Sequence, residues 1–467
     1  MKFFFSTLLL TLFLSTGAQD NFNCFTVLCG KEASMDGSVF LAHNEDDGGE
    51  QNLRFFKTKH LSRIETQEIT LRRGAKYLPT GDFNSLFWIE MPGMEFSDSY
   101  HNEYGVSIVS DACPSREDHG EISDGGIGYW LRRIMALQAT SAREAVRIGG
   151  KLIEKYGYVS SGRTYCIADK DEAWMLSVVK GKHWIAQRVP DDEVAIIPNY
   201  FTIQKIKLQD TLNYLGSEDI IRYARKKGWF KGPDSAFNFR LAYADPNSLT
   251  HKINVERHWA ALNKLAPKEY KLHDHFPFSF QPERKIVLMD LFDILRYHYE
   301  NTSIDRSHNH TLGSPHQTHR AICANSTQYG LVAQHRSKLP VSIGSVLWIS
   351  LFHPCIHPFI PFYNGMKDSP VTIDMDAQSA LRTHFEKSDN RNIIFAQFVK
   401  NGINIDKDYQ NYYLNYLPQT LQQERNLLIN QKKNEKKWLT EYKTNQSQAI
   451  DSITAFCHQQ MQMSLPK

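Results

Sequence analysis

Two short β-prone runs, Cys24 to Cys29 and Val39 to Ala42, lie on either side of the turn signal Asp36-Gly37. Together they predict a β-hairpin whose first residue is a cysteine. That pairing commits the chain to a sheet beginning at residue 24 and puts a thiol at the start of its first strand.

What precedes the hairpin has the form of a secretory signal. Lys2 supplies the charge, Phe3 to Leu14 an apolar run too short to span a bilayer, and Thr16-Gly17-Ala18 a small-residue cleavage site. Residues 1–18 are therefore expected to be a signal peptide and 19–23 a short propeptide, with the product secreted or held in the endolysosomal lumen. The longest later apolar stretch, Val341 to Phe362, is interrupted by His353, Pro354, His357, Pro358 and Pro361, so no membrane span is expected.

With 41% hydrophobic and 12% aromatic residues, a chain of 467 has ample material for a packed core. Its net charge of +3 comes without a basic patch interleaved with aromatics, which excludes nucleic acid as an expected partner. Seven cysteines leave at least one without an intramolecular partner, and Cys24 is the candidate. Sequons stand at Asn301, Asn309, Asn325 and Asn445.

Helical patterning covers 125–156 in two segments, the second opened by the capping-box signature of Ser141 and Glu144. Strand signals follow at Thr164 to Ile167, Ala173 to Val179, His183 to Arg188 and Val194 to Ile197, which read as one antiparallel meander. A helix is expected over Leu291 to Tyr299 and a strand pair at Gly330 to His335 and Ser345 to Leu351. From Ala377 onward the pattern is helical, through Leu381, Phe385, Phe395, Phe398 and Val399, with Gln431 to Lys437 as a solvated face. Trp174, Trp184 and Trp348 read as core. This succession implies an α+β layered fold with mostly antiparallel pairing.

An ordered set of blocks carries a more specific likeness. It comprises Cys24-Phe25-Thr26 with Gly30 to Ser38, His43-Asn44-Glu45-Asp46, Asn102 to Val106, Thr140 to Ala145, and Ile167-Ala168-Asp169 with Glu172-Ala173-Trp174. It continues through Arg188 to Glu193, Ile197-Pro198-Asn199, Ala242 to Pro246, Arg257 with Trp259, and Val346-Leu347-Trp348. In these the chain resembles the dipeptidase A family of N-terminal-nucleophile cysteine peptidases, relatives of the secernins and, more distantly, of bile-salt hydrolases and penicillin V acylases. The resemblance implies a four-layer αββα sandwich over 24–370 with Cys24 opening a central strand. The remaining 371–467 are expected to form a helical region packed on it.

Cys24 then becomes the expected nucleophile, with its own α-amine as base once the propeptide is lost; the bland reading is a disulfide. The resemblance sets Asp46 beside the nucleophile to hold that amine, against a solvated turn in the acidic run 45–47. It assigns Asn102 to an oxyanion hole, against an asparagine in the tight turn before Gly105. It gives Asn199 a substrate-side role and Arg257 a distal one. His43, assigned to substrate binding, occupies a place where relatives carry arginine, and histidine would bring pH dependence in place of a permanent charge.

The histidine pairs at 273 and 275, 308 and 310, 316 and 319, and 353 and 357 do not match a helix-borne metalloprotease motif, so neither metal nor organic cofactor is expected. The expected function is a dipeptidase acting on small peptides through a thioester, with a homo-oligomer left open. The alternatives are an acylase on N-acyl amides with the same nucleophile, and a catalytically silent secreted binding protein.

Overall fold

The computed structural model describes residues 24–46, 53–62, 68–71, 76–78, 81–90, 97–307, 310–311, 313–317, 320–368, 372–374 and 393–466. The signal peptide, the propeptide, Leu381, Phe385, Asn309, His308 and His319 lie outside these residues, as does the 370/371 boundary.

The hairpin is formed by β1 (Phe25–Cys29) and β2 (Val39–Asp46), paired from Phe25 opposite Asn44 to Cys29 opposite Phe40. Between them Gly37 adopts φ +79°, a conformation that glycine enters without a Cβ clash, and Asp36 accepts a hydrogen bond from the Ser38 amide. Every residue of both strands is buried, as befits strands covered on both faces.

The strands that follow are β3 (Arg54–Lys57), β4 (Ile69–Thr70), β5 (Lys76–Tyr77), β6 (Leu86–Glu90), β7 (Ser97–Asn102) and β8 (Ser107–Ala112). Next come β9 (Tyr158–Ala168), β10 (Ala173–Gly181), β11 (Trp184–Val189), β12 (Val194–Ile197), β13 (Tyr214–Gly216) and β14 (Ser279–Phe280). The last are β15 (Thr327–His335), β16 (Ser345–Leu351), β17 (Ile360–Tyr363) and β18 (Thr372–Asp374). They build a seven-stranded sheet in the order β14-β12-β1-β2-β15-β16-β17 and a nine-stranded sheet in the order β13-β11-β10-β9-β8-β7-β6-β3-β18. Pairing in both is antiparallel except between β18 and β3.

The sheets lie face to face, with β1 and β2 packed against β8, β9 and β10. Helices α1 (Trp130–Gln138) and α2 (Ala142–Tyr156) cover the outside of the larger sheet. Ser141 caps α2 as its periodicity predicts, accepting from the Glu144 amide, while Glu144 turns back to Thr140. Short helices α3 (Ile220–Lys226), α4 (Phe239–Tyr243) and α5 (Pro246–Thr250) lead to α6 (Lys252–Leu265) and α7 (Leu288–Leu295), which back the smaller sheet at β12, β2 and β15. The result is a four-layer αββα sandwich.

Beyond α8 (Val341–Gly344), the chain ends in α9 (Ile393–Lys407), α10 (Tyr409–Asn415), α11 (Leu417–Thr444) and α12 (Gln446–Ser464). Packing of α9 on β16 and of α12 on β17 seats this region on the smaller sheet. Among the described residues no helix is long and apolar enough to cross a membrane.

Two expectations need correction. The meander ends at β11, because β12 crosses to the other sheet and pairs with β1, Thr26 facing Ile197. Its four residues, Val194 to Ile197, are all apolar and fully buried, and a short continuous apolar run does not say which sheet receives it. The segment Gln431 to Lys437 is not uniformly solvated either. Gln431 and Glu435 are buried one turn apart, and Glu435 accepts from Arg336 at 2.7 and 2.8 Å and from the Tyr363 hydroxyl at 2.8 Å.

All seven cysteines are buried and unbridged, so Cys24 is not distinguished by lacking a disulfide. Trp174, Trp184 and Trp348 are buried. Asn301, Asn325 and Asn445 are exposed.

Candidate active site

Successive side chains of a strand point to opposite faces. In β1 and β2 this puts Thr26, His43 and Glu45 on the face turned toward the larger sheet, and the hairpin register sets Glu45 across from Cys24. Asn44 turns the other way and donates to the carbonyls of Leu295 and Ile322 on the helical side.

The inward face holds a continuous chain of hydrogen bonds. The Cys24 thiol donates to Glu45 Oε1 at 2.8 Å. Glu45 Oε2 meets His43 Nε2 at 3.1 Å, and His43 Nδ1 meets Thr26 Oγ1 at 2.7 Å. Thr26 in turn donates to Asp111 of β8 at 2.6 Å, joining the two sheets. All five residues are buried, Cys24 being 1% exposed.

Burial pushes the Cys24 thiol well above its ordinary pKa, and the negative charges of Glu45, Asp111 and Asp46 push the same way. Burial also acts to raise Glu45, but its bonds from His43 and Cys24 and the charge of Arg132 together carry it below the ordinary carboxylate value. Asp111 is pushed up to about 6, chiefly by burial, against the opposing influence of His43, Thr26 and Arg257. The thiol is thus a neutral proton donor lying against a carboxylate.

A second group gathers around the main chain of Cys24. Arg257, on α6 and fully buried, donates from Nη1 to the Cys24 carbonyl at 3.1 Å. Its Nη2 reaches Asn199 Oδ1 at 2.6 Å, Asn254 Oδ1 at 2.9 Å and the Pro198 carbonyl at 3.2 Å. Asn199 follows β12 with φ +77°, in the left-handed region that asparagine tolerates, and donates to the Ala112 carbonyl at 3.0 Å. Asp46 stands 3.9 Å from Arg257, is held by Arg320 at 2.9 Å and accepts from Thr327. Burial raises its carboxyl above the usual range, with Arg320, Thr327 and Arg257 opposing. Burial and the nearby Arg320 lower Arg257 to about 10.

Cys24, Asp46, Asn199 and Arg257 are therefore brought together. Asn102 is not among them. Its amide donates to the carbonyls of Ala136 at 3.0 Å and Ala139 at 2.7 Å, and its Oδ1 accepts from the amides of Tyr104 and Val106. Both amide hydrogens are committed, so Asn102 organises the turn at Gly105, φ +80°, and offers nothing to an oxyanion. His43, assigned to substrate binding, is fully buried and bonded at both ring nitrogens, to Thr26 and to Glu45.

Sequence reasoning passed over Glu45, Thr26, Asp111 and Arg320. For Glu45 the signal was present in the parity of β2, which gives His43 and Glu45 one face and Asp46 the other. Asp111 and Arg320 come from distant segments that no local pattern connects to Cys24. Donor atoms of Cys24, His43 and Glu45 lie within 4.8 Å of one another, a spacing compatible with a cation, although hydrogen bonds already link all three.

Residues 119–395 match a family model described as peptidase family C69. A probable dipeptidase from Latilactobacillus sakei is 27% identical over 371 residues, spanning 75% of this chain and 76% of that protein. A dipeptidase from Bifidobacterium longum is 28% identical over 392 residues, spanning 75% and 73%. Among solved structures, a penicillin V acylase from Agrobacterium tumefaciens aligns over 73% of this chain and 85% of that one, with 11% identity and a TM-score of 0.36.

Proposed function

Because the chain belongs to peptidase family C69, we propose that it is a dipeptidase whose nucleophile is the Cys24 thiol, exposed as an N-terminal residue once 1–23 are removed. The observation that carries this reading is the Cys24 sulfur at 2.8 Å from Glu45 while Arg257 anchors the same residue's carbonyl. The relatives named as dipeptidases support the substrate class. The signal-like first 18 residues support delivery to a secreted or endolysosomal setting.

Processing doubles as activation. A buried thiol among three carboxylates stays protonated, whereas a new α-ammonium, joined to the sulfur through Cα and Cβ, brings positive charge to that environment. Glu45 and Asp46 are the carboxylates beside which it forms. As free amine it takes the thiol proton. The thiolate adds to the peptide carbonyl carbon, whose π pair moves to oxygen; collapse expels the amine, which leaves with the proton from the Cys24 ammonium. Water then cleaves the thioester, the α-amine accepting its proton, and the enzyme is restored. Asn199, whose Nδ2 has a second hydrogen beyond its bond to Ala112, and Arg257 supply positive potential on the substrate side.

The test is the mature N-terminus, read by mass spectrometry after alkylation. A chain that begins at an alkylated Cys24 and hydrolyses dipeptides in preference to N-acyl amides supports the reading. An intact Asn23-Cys24 bond in active protein overturns the mechanism, and preference for N-acyl amides overturns the substrate class.

A further inference from the structure

Away from Cys24, four residues from four segments converge where the smaller sheet meets the C-terminal helices. They are His298 just past α7, His316 and Cys323 in the loop before β15, and Cys355 in the turn after β16. All are buried, and one donor atom from each lies within 4.8 Å of the others. From these we infer a structural divalent-cation site with two imidazole nitrogens and two sulfurs, of the kind that takes zinc.

The geometry of the histidines carries the inference. His298 Nδ1 bonds to Glu300 at 3.1 Å and His316 Nδ1 to Asp406 at 2.9 Å, which turns both Nε2 atoms toward the sulfurs. A carboxylate behind an imidazole is the outer arrangement that fixes a histidine as a metal ligand. His316 Nε2 lies 3.3 Å from Cys355 Sγ and 3.6 Å from Cys323 Sγ. In a tetrahedral zinc centre with bonds of about 2.3 Å to sulfur and 2.0–2.1 Å to nitrogen, that edge measures about 3.6 Å. His298 Nε2 is buried and makes no hydrogen bond, an expense that a coordinated cation removes.

Charge and surroundings agree. Two thiols that each release a proton give two thiolates, and with two neutral imidazoles on a divalent cation the centre is neutral, which is what burial requires. Ile356, Tyr409 and Tyr412 close an apolar shell around the sulfurs. A Cys323–Cys355 disulfide would instead leave both Nε2 atoms without a partner. Two sulfur and two imidazole ligands favour zinc over the oxygen-seeking cations. The histidine pairs that match no metalloprotease motif thus conceal one ligand, His316, whose companions are scattered through the chain.

The site also reaches the first one. The loop that supplies His316 and Cys323 carries Arg320, which holds Asp46, and Ile322, whose carbonyl accepts from Asn44. Asp406 on α9, bonded to His316 and Ser314, extends the same anchorage to the C-terminal region. An ion here fixes the Arg320–Asp46 pair from a distance. The inference does not depend on the dipeptidase reading.

The experiment is metal analysis of the full-length protein as purified, followed by exchange with cadmium alone. Stoichiometric zinc is expected, with a cadmium–thiolate charge-transfer band that disappears in Cys323→Ser/Cys355→Ser and persists in Cys24→Ser. The wild-type exchange reports on the site even if the double variant fails to fold. Chelation should lower the melting temperature of the wild type. Protein that holds no zinc as purified and takes none up after thiol reduction overturns the inference. So does a mapped Cys323–Cys355 disulfide in the purified chain, or a cadmium band lost with Cys24 instead.

Discussion

Arg257 holds Cys24 by its main-chain oxygen, at 3.1 Å, from a helix more than two hundred residues further along the chain. The same guanidinium fork satisfies Pro198, Asn199 and Asn254, so one side chain fixes Cys24 relative to both β12 and α6.

Replacing Arg257 by Met leaves those acceptors and part of the Asp46 charge uncompensated in a dry site. We expect a loss of about 3–5 kcal/mol in urea denaturation. Arg257→Lys keeps the charge but not the fork, so stability should suffer less while kcat falls on the order of 10²-fold from misplacement of Cys24. Equal kcat in the wild type and the lysine variant would remove Arg257 from any positioning role.

Glu45→Gln separates charge from shape. The carboxylate raises the Cys24 pKa, so its removal should move the midpoint of thiol alkylation to lower pH. Turnover should nonetheless fall by about 10²-fold, because the thiol loses the hydrogen-bond acceptor that orients it beside its own α-amine. A rise in both alkylation and turnover would show that Glu45 only restrains the nucleophile.

Asp111 makes stability depend on pH in a defined direction. Its folded pKa of about 6 lies above the ordinary value near 3.9, so the folded state binds the extra proton. This contribution is present below the unfolded value and is lost as pH rises through about 6. Asp111→Asn, which still accepts from Thr26, should therefore raise the melting temperature at neutral pH. The gain is up to about 3 kcal/mol and should vanish near pH 4. Melting curves across that range give the answer, and a gain largest in acid would contradict it.

Glu435 seats α11 on the smaller sheet through Arg336 and Tyr363. Glu435→Ala should cost about 3–5 kcal/mol, since Arg336 would remain largely buried without its counter-ion. Limited proteolysis should then cut first in the helices after residue 393. An unchanged digestion pattern would mean that the aromatic packing of Tyr363, Trp438 and Phe456 suffices to hold them.

Local chemistry made much of this fold readable. The Asp36-Gly37 turn, the Ser141 cap and the continuous apolar runs of β10 and β16 each encode their own geometry within a few residues. What stayed hidden depends on partners remote in sequence. Val194 to Ile197 has the composition of a central strand whichever sheet it joins. Asn102 before Glu103-Tyr104-Gly105 suits an oxyanion hole and a turn equally, and only the Ala136 and Ala139 carbonyls, brought by α1, decide for the turn. Glu45 and Asp46 are adjacent in one acidic run, yet strand parity gives them opposite faces. His298, His316, Cys323 and Cys355 form no motif at all until the loop before β15 is folded onto α9.

The crossing of β12 also has a temporal meaning. The hairpin with the thiol is made first, yet its neighbours in the sheet are β12, ending at Ile197, and β15, ending at His335. Arg257 and Arg320 emerge later than β12 as well. A chain still on the ribosome has its cysteine but not the walls around it, and such long-range pairings close last. If Cys24 acts as proposed, removal of 1–23 activates a site whose enclosing strands exist only after most of the chain has been made.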